Sequence, residues 1–304
     1  MKIVIVGLGK MGLQIITKLQ TAGHDVLGVA HRQEQADQLS ADGINATTRR
    51  EDAVAFFGDE QAIVWLMIPS DSVDTELDAW TELLSENSII IDGGNSDFRL
   101  TSQRSQRVGT RGMQLIDVGT SGGVHGLENG FSLMAGGDSA TFATVEPIVQ
   151  VLAQPAGAYQ YFGKSGSGHY VKMVHNSIEY GMMQSLAEGY RMLEEGAYKG
   201  EINLGDAGEV WQHGSVVTSW LNELTRQAVT ENPKLEGIEG IVAESGETRW
   251  TLESAHELGV PLPVIQAAFD VRLKSQTGEV NFATKLLAAM RNKFGGHAIN
   301  VDNK

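Results

Sequence analysis

The opening residues MKIVIVGLGKMG leave few folds open. A short apolar run, residues 2–7, reaches a glycine and passes directly into a helical pattern that Gly23 stops. Gly7, Gly9 and Gly12 fall at G-x-G-x-x-G spacing. That spacing is common by itself. Between a strand and a helix it describes a loop that wraps a dinucleotide pyrophosphate. Gly7 takes the tight turn, Gly9 lets the backbone approach the pyrophosphate, and Gly12 lets the helix close on the strand. The helix N-terminus supplies amide donors and the positive end of its dipole.

The second strand, residues 25–30, bears on which dinucleotide is bound. It ends at Ala30 and is followed by His31, Arg32 and Gln33. An acid here would bind the ribose hydroxyls of NAD, whereas an arginine suits the 2′-phosphate of NADP. The acid is missing and Arg32 follows, so NADP is favoured, with NAD admitted as well.

The remainder of the first half alternates strand and helix. Residues 61–69, 87–94, 113–123 and 131–137 are predicted strands; the first two are apolar runs without alternation, as in a parallel sheet buried on both faces. Residues 71–84 predict a helix opened by an Asp71 cap. The pattern predicts an α/β fold, an N-terminal Rossmann doubly wound parallel sheet. After residues 164–170, KSGSGHY, the chain turns helical, with predicted helices over 211–229, 248–258 and 262–276 and a break at GVPLP. The expected division is a nucleotide-binding domain over 1–163 and an all-helical domain over 164–304, for substrate binding and oligomerisation, ending in a polar tail, HAINVDNK.

Composition narrows the function. The 304 residues carry a formal net charge of −15, which argues against nucleic acid as partner, since phosphate contacts need a basic surface. No apolar run is long enough to span a membrane, and the N-terminus does not read as a signal peptide. There is no cysteine, which excludes disulfides and thiolate metal sites, and the histidines lack zinc-site spacing. A cytoplasmic enzyme without a metal is expected.

One further stretch stands out: KMVHNSIEYG, residues 172–181. Lys172, His175, Asn176, Glu179 and Tyr180 share one helical face, while Val171, Met173, Val174, Ile178, Gly181 and Met182 occupy the rest. Apolar cover over most of the circumference predicts a buried helix whose polar stripe faces a cavity, because unpartnered buried charges are costly. A buried Lys–Glu pair with a core histidine would explain the same residues structurally.

Taken together, GLGKMG, DVGTSGGVHGLENG and GHYVKMVHNSIEYGMMQ, extended by IIDGGNS and FGGHAI, give a chain that resembles the decarboxylating 6-phosphogluconate dehydrogenases of the β-hydroxyacid dehydrogenase superfamily. The likeness covers essentially the whole chain, in the family's short form with a single helical portion. It implies conversion of 6-phosphogluconate and NAD(P)+ to ribulose 5-phosphate, CO2 and NAD(P)H. By position it makes Lys172 the base for the C3 hydroxyl, helped by His175, and Glu179 the acid that protonates C1. A lysine serves as base near neutral pH when burial or a cationic neighbour lowers its pKa.

The resemblance also assigns cofactor contacts to Lys10, Met11, His31, Met67 and Pro69, and places Asn95 at the junction of nicotinamide and substrate. Ser121, Gly122 and Gly123 become the loop for the substrate carboxylate and hydroxyls. Asn176 and Tyr180 bind hydroxyls or phosphate; Arg272, Arg291 and His297 bind phosphate. The family's tail enters a neighbouring subunit's site, so a homodimer or homotetramer with shared sites is expected.

One segment departs from the family. The long form carries lysine and threonine where ESGETRWT, residues 244–251, has Ser245 and Glu247. Glu247 would repel a phosphate unless it turned away or paired with Arg249. Two other readings fit parts of the sequence. A β-hydroxyacid dehydrogenase that does not decarboxylate has little use for Glu179 or a cationic tail. A dinucleotide-sensing regulator needs the glycine loop but not Lys172 with Glu179.

Overall fold

The computed structural model describes residues 1–297 and 299; residues 298 and 300–304, most of the expected polar tail, lie outside the described residues. The chain forms two compact units, Met1–Met173 and Val174–Lys304.

The first unit is built on β1 (Lys2–Val6), β2 (Asp25–Val29), β3 (Ala46–Thr47), β4 (Ile63–Leu66), β5 (Ile89–Asp92), β6 (Gln114–Ser121), β7 (Ser132–Gly136) and β8 (Tyr159–Tyr161). They form one sheet in the order β3-β2-β1-β4-β5-β6-β7-β8. Its helices are α1 (Lys10–Thr21), α2 (Gln33–Ala41), α3 (Arg50–Phe57), α4 (Val73–Leu83), α5 (Phe98–Gly109), α6 (Gly126–Asn129) and α7 (Ser139–Ala153). Alternate residues of β1 enter opposite cores: Ile3 and Ile5 pack with Ile15, Ile16 and Leu19 of α1, while Val4 and Val6 pack with Leu77 and Trp80 of α4. Burial on both faces accounts for the unbroken apolar runs of β1, β4 and β5.

Two local expectations change. β7 runs antiparallel to β6, against the otherwise parallel ladder. Residues 122–131 are too short a link for a crossover helix, and a parallel return needs a dozen residues or more. The residue at the N-cap of α4 is Ser72 rather than Asp71, and it makes no capping bond: its backbone is helical, φ −93° and ψ −13°, where a capping residue is extended.

The long helix α8 (Ser167–Glu195) begins in the first unit and continues into the second. The second unit adds α9 (Leu204–Gln212), α10 (Trp220–Glu231), α11 (Glu247–Leu258), α12 (Pro263–Gln276) and α13 (Phe282–Gly295). Its core gathers Met183, Ala187 and Tyr190 of α8 with Leu286, Leu287 and Met290 of α13. Burial pushes the Tyr190 phenol up to about 12. The single helix expected over 211–229 is instead two. Gly214 at φ +78° turns the chain, and the Ser219 side chain restarts it by accepting from the Asn222 amide. Helix α8 is not covered all round either: Ile178 and Met182 are 52% and 43% exposed. Among the described residues no helix is long and apolar enough to cross a membrane.

Candidate active site

The strand order reverses between β1 and β4, and ligands of such sheets bind at the carboxyl ends of the strands beside that reversal. The glycine loop after β1 and Met67 after β4 meet there. A Cβ at Gly7, which sits at φ +93°, would lie 2.4 Å from the Met67 carbonyl oxygen. A Cβ at Gly12 would lie 2.1 Å from the Gly7 carbonyl oxygen. Both positions therefore require glycine. Gly9 has the opposite surroundings, with nothing within 4 Å of its added Cβ. It precedes α1, whose N-terminus has no side-chain cap. Tight packing behind, open space in front and uncapped amides fit a dinucleotide pyrophosphate.

Lys10 opens α1 and is exposed, with Met11 half-buried beside it. His31 and Arg32 are exposed after β2, with Arg32 at the N-cap of α2. Pro69 and Asn95 are exposed beyond β4 and β5. Ser121 ends β6, and Gly122 and Gly123 follow at φ +135° and +54°. Gln14 of α1 holds this loop, donating to the Gly123 carbonyl at 3.2 Å and accepting from the Leu127 amide at 2.7 Å.

Lys172 is only 5% exposed. It lies where α8 presses on β6, so closely that a Cβ at Gly119 would sit 2.3 Å from the lysine Cβ. Asp117 of β6 anchors this end, accepting from the Gly166 amide at 2.8 Å and the His169 amide at 3.0 Å. His169 is buried, with Nδ1 2.8 Å from the Thr101 hydroxyl and Nε2 3.1 Å from the Asp92 carbonyl oxygen. A carbonyl only accepts, so Nε2 carries a hydrogen. The Asp92 carboxylate accepts from Ser96 at 2.7 Å and from the Gly94 amide at 3.2 Å, bracing the segment that displays Asn95. The sequence reading did not single out Gln14, Asp92, Asp117 or His169. An aspartate inside an apolar strand run, as in LIDVG and IIIDG, is the signal that marks two of them.

In the second unit, His175 Nδ1 lies 2.9 Å from Asn176 Oδ1, and Asn176 Nδ2 donates to Glu247 Oε1 at 2.8 Å. Ser177 donates to Thr251 at 2.7 Å, further tying α8 to α11. The Arg272 guanidinium stacks 3.2 Å from the centroid of the Tyr180 ring and is 2% exposed. Burial pushes its pKa down to about 10; Tyr180 and Glu179 oppose that shift and the charge of Arg291 adds to it. Arg272 thus stays cationic at neutral pH, and Arg291 is close enough to act on it. Among the described residues neither arginine has a carboxylate within 4.0 Å. Ser245 donates its amide to the Tyr180 hydroxyl at 3.3 Å. His297 is exposed after α13, its ring edge-on to Phe294 at 6.3 Å.

The NAD binding domain of 6-phosphogluconate dehydrogenase matches residues 2–163, and the C-terminal domain of that enzyme matches residues 168–293. The chain belongs to the 6-phosphogluconate dehydrogenase family. As a member of that family it is an oxidoreductase. The YqeC protein of Bacillus subtilis is 39% identical over 298 residues, covering 98% of this chain and 99% of its own. A Haloferax volcanii relative, named as an NAD(+)-dependent, decarboxylating 6-phosphogluconate dehydrogenase, is 35% identical over 98% of both chains. A Synechococcus elongatus decarboxylating relative is 34% identical over 93% of this chain and 64% of its own length. A Plasmodium falciparum 6-phosphogluconate dehydrogenase structure superposes with a TM-score of 0.81 at 25% identity, over 100% of this chain and 67% of that one.

Proposed function

We propose that the chain catalyses oxidative decarboxylation of 6-phosphogluconate to ribulose 5-phosphate and CO2, with NADP+ favoured and NAD+ accepted. The observation that carries this reading is the polar face of α8 together with the cation stacked on it. Lys172 and Glu179 stand about two turns apart on one helix, with Asn176 between them, and Arg272 lies on Tyr180 with no carboxylate oxygen within 4.0 Å among the described residues. A base, an acid and a cation are what a phosphorylated hydroxyacid needs.

The bound nicotinamide supplies the hydride acceptor. Lys172, as the neutral amine, takes the C3 hydroxyl proton as hydride leaves the same carbon. The resulting ammonium donates to the new carbonyl oxygen and stabilises the negative charge that grows there when the C1 carboxylate leaves as CO2. Glu179 delivers a proton to the carbon that carried the carboxylate, C2 of the acid and C1 of the product, giving the ketose. Asn95, the Ser121–Gly123 loop, His175 and Asn176 orient the acid end of the substrate, and Tyr180, Arg272, Arg291 and His297 take the phosphate. Gly7, Gly9, Lys10, Met11, Gly12, His31, Arg32, Met67 and Pro69 hold the dinucleotide. We place the reaction in the cytoplasm. Exposed Ile178, Met182 and Val264 favour a homodimer or homotetramer with shared sites.

The test is a rate assay with 6-phosphogluconate and saturating NADP+ or NAD+, following reduced nicotinamide and CO2 together. Equimolar products are expected. Reduced cofactor without CO2 would replace this reading with a non-decarboxylating hydroxyacid dehydrogenase, and absence of turnover with either cofactor would overturn the substrate.

A further inference from the structure

The outer face of α8 has the wrong chemistry for water. An exposed helix face ordinarily carries charged and polar residues, and the apolar stripe turns inward. Between residues 178 and 192 the exposed positions of α8 are Ile178, Met182, Ser185, Glu188, Gly189 and Met192, with a single acid among them. Ile178, Met182 and Met192 are 52%, 43% and 70% exposed. Ile178, Met182, Ser185, Gly189 and Met192 follow one another at alternating steps of four and three residues. That alternation is the seam of a helix packed along a second helix.

Gly189 sits inside the helix, where glycine is less stable than alanine. Nothing lies within 4 Å of a Cβ added to it, so no neighbour in this chain requires its smallness. Beside the seam, α8 and α12 border an open groove of about 270 Å³, lined in part by Gly181, Gln184, Ser185, Val264 and Ala267. Gln184 is 7% exposed. Its Nε2 donates to Glu188 at 2.7 Å, and its Oε1 is buried with no hydrogen-bond partner among the described residues. A buried amide oxygen without a donor is costly. An apolar seam, an unexplained glycine and an acceptor short of a donor make one half of an interface.

The seam is complementary to itself. With two copies of α8 antiparallel and Ser185 at the twofold axis, Ile178 meets the partner's Met192, and Met182 meets the partner's Gly189. The thioether then fills the space left by the missing side chain. A parallel pair would set glycine on glycine and methionine on methionine, one layer hollow and another crowded. The twofold axis makes every contact twice along a stripe about 21 Å long.

We propose that a second copy of this chain docks its α8 antiparallel on this seam, with Ser185 at the axis. The pairing rests on the homo-oligomer proposed above and not on the identity of the substrate. Ile178 adjoins Glu179, so the partner's Met192 flanks the polar stripe, which is how the two sites come to be shared.

The chain has no cysteine, so single substitutions crosslink without background. Sedimentation of the full-length wild type is expected to show a dimer or tetramer; a monomer overturns the oligomer and the seam together. Oxidised Ser185→Cys is expected to give a covalent dimer, whereas Met182→Cys and Gly189→Cys should crosslink efficiently only when mixed with each other. Self-crosslinking of all three would make the pair parallel and overturn the register. An oligomer whose Ser185→Cys variant stays uncrosslinked overturns the seam and leaves the oligomer standing. Gly189→Lys puts a good helix former where the single chain has open space, so circular dichroism should show no loss of helix. Its association should nevertheless weaken by roughly a hundredfold, because each copy would bury an ammonium in the seam. Unchanged association overturns the inference.

Discussion

The loop after β1 and the α8–α11 contact are built by different means. In the loop the working parts are backbone, and side chains are absent by necessity: a Cβ on Gly7 or Gly12 meets a carbonyl oxygen at 2.4 or 2.1 Å. A carbonyl fixed in a strand–turn–helix junction cannot yield as the end of a flexible side chain can. Between α8 and α11 the working parts are side chains, with Glu247 and Thr251 of α11 bonded to Asn176 and Ser177 of α8. The backbone-built site tolerates little change and is shared across chemistries. The side-chain-built contact can be retuned one residue at a time.

The largest effect expected separates the two directly. Lys172→Ala should lower kcat by roughly 10² to 10⁴ while NADP binding, measured by fluorescence titration, stays as in the wild type. A parallel loss of cofactor affinity would mean that the lysine supports the loop and not the chemistry. Next comes Arg272→Lys, which keeps the charge but loses the flat stack on Tyr180. It should raise KM for the phosphorylated substrate about tenfold to a hundredfold, since bonds to charged groups contribute about 1.5–3 kcal/mol. Steady-state kinetics would show it, and an unchanged KM would remove Arg272 from the substrate site.

A smaller pair of effects tests the loop by itself. Gly12→Ala should cost about 1–3 kcal/mol of stability by overpacking, read as a lower midpoint in urea. Gly9→Ala, with nothing within 4 Å of the new methyl, should unfold as the wild type does yet bind dinucleotide more weakly. If both variants lost stability equally, the open space before Gly9 would not be where the pyrophosphate sits.

The first unit was legible because its signals are local. β1, the glycine loop and α1 adjoin in sequence, and the order of strands and helices follows from runs a few residues long. The stripe of α8 was legible for the same reason, since helical periodicity places Lys172 and Glu179 without reference to the rest of the chain. The partners of that stripe were not legible. Asn176 meets a residue 71 positions away in Glu247, and His169 meets Thr101 across 68. No local pattern encodes such pairs. The reversal of β7 was missed because it depends on how short the link is, not on strand composition. The break in the 211–229 segment was misjudged because Gly214 reads as tolerable inside a helix until its φ of +78° is seen.

The smallest effect concerns cofactor choice, where the loop borrows a side chain. Arg32 is exposed at the N-cap of α2, and no acid ends β2 beside it. An exposed guanidinium contacts a 2′-phosphate through charge-assisted bonds that water and salt weaken, so its contribution lies near the low end, about 1.5 kcal/mol. Arg32→Ala should therefore raise KM for NADP+ by about tenfold and leave KM for NAD+ nearly unchanged. The effect on NADP+ should shrink as ionic strength rises, because the contact is open to solvent. Equal changes for both cofactors would mean that Arg32 touches the adenosine and not the phosphate. The exposed His31 beside it would then be the remaining candidate for reading the 2′ position.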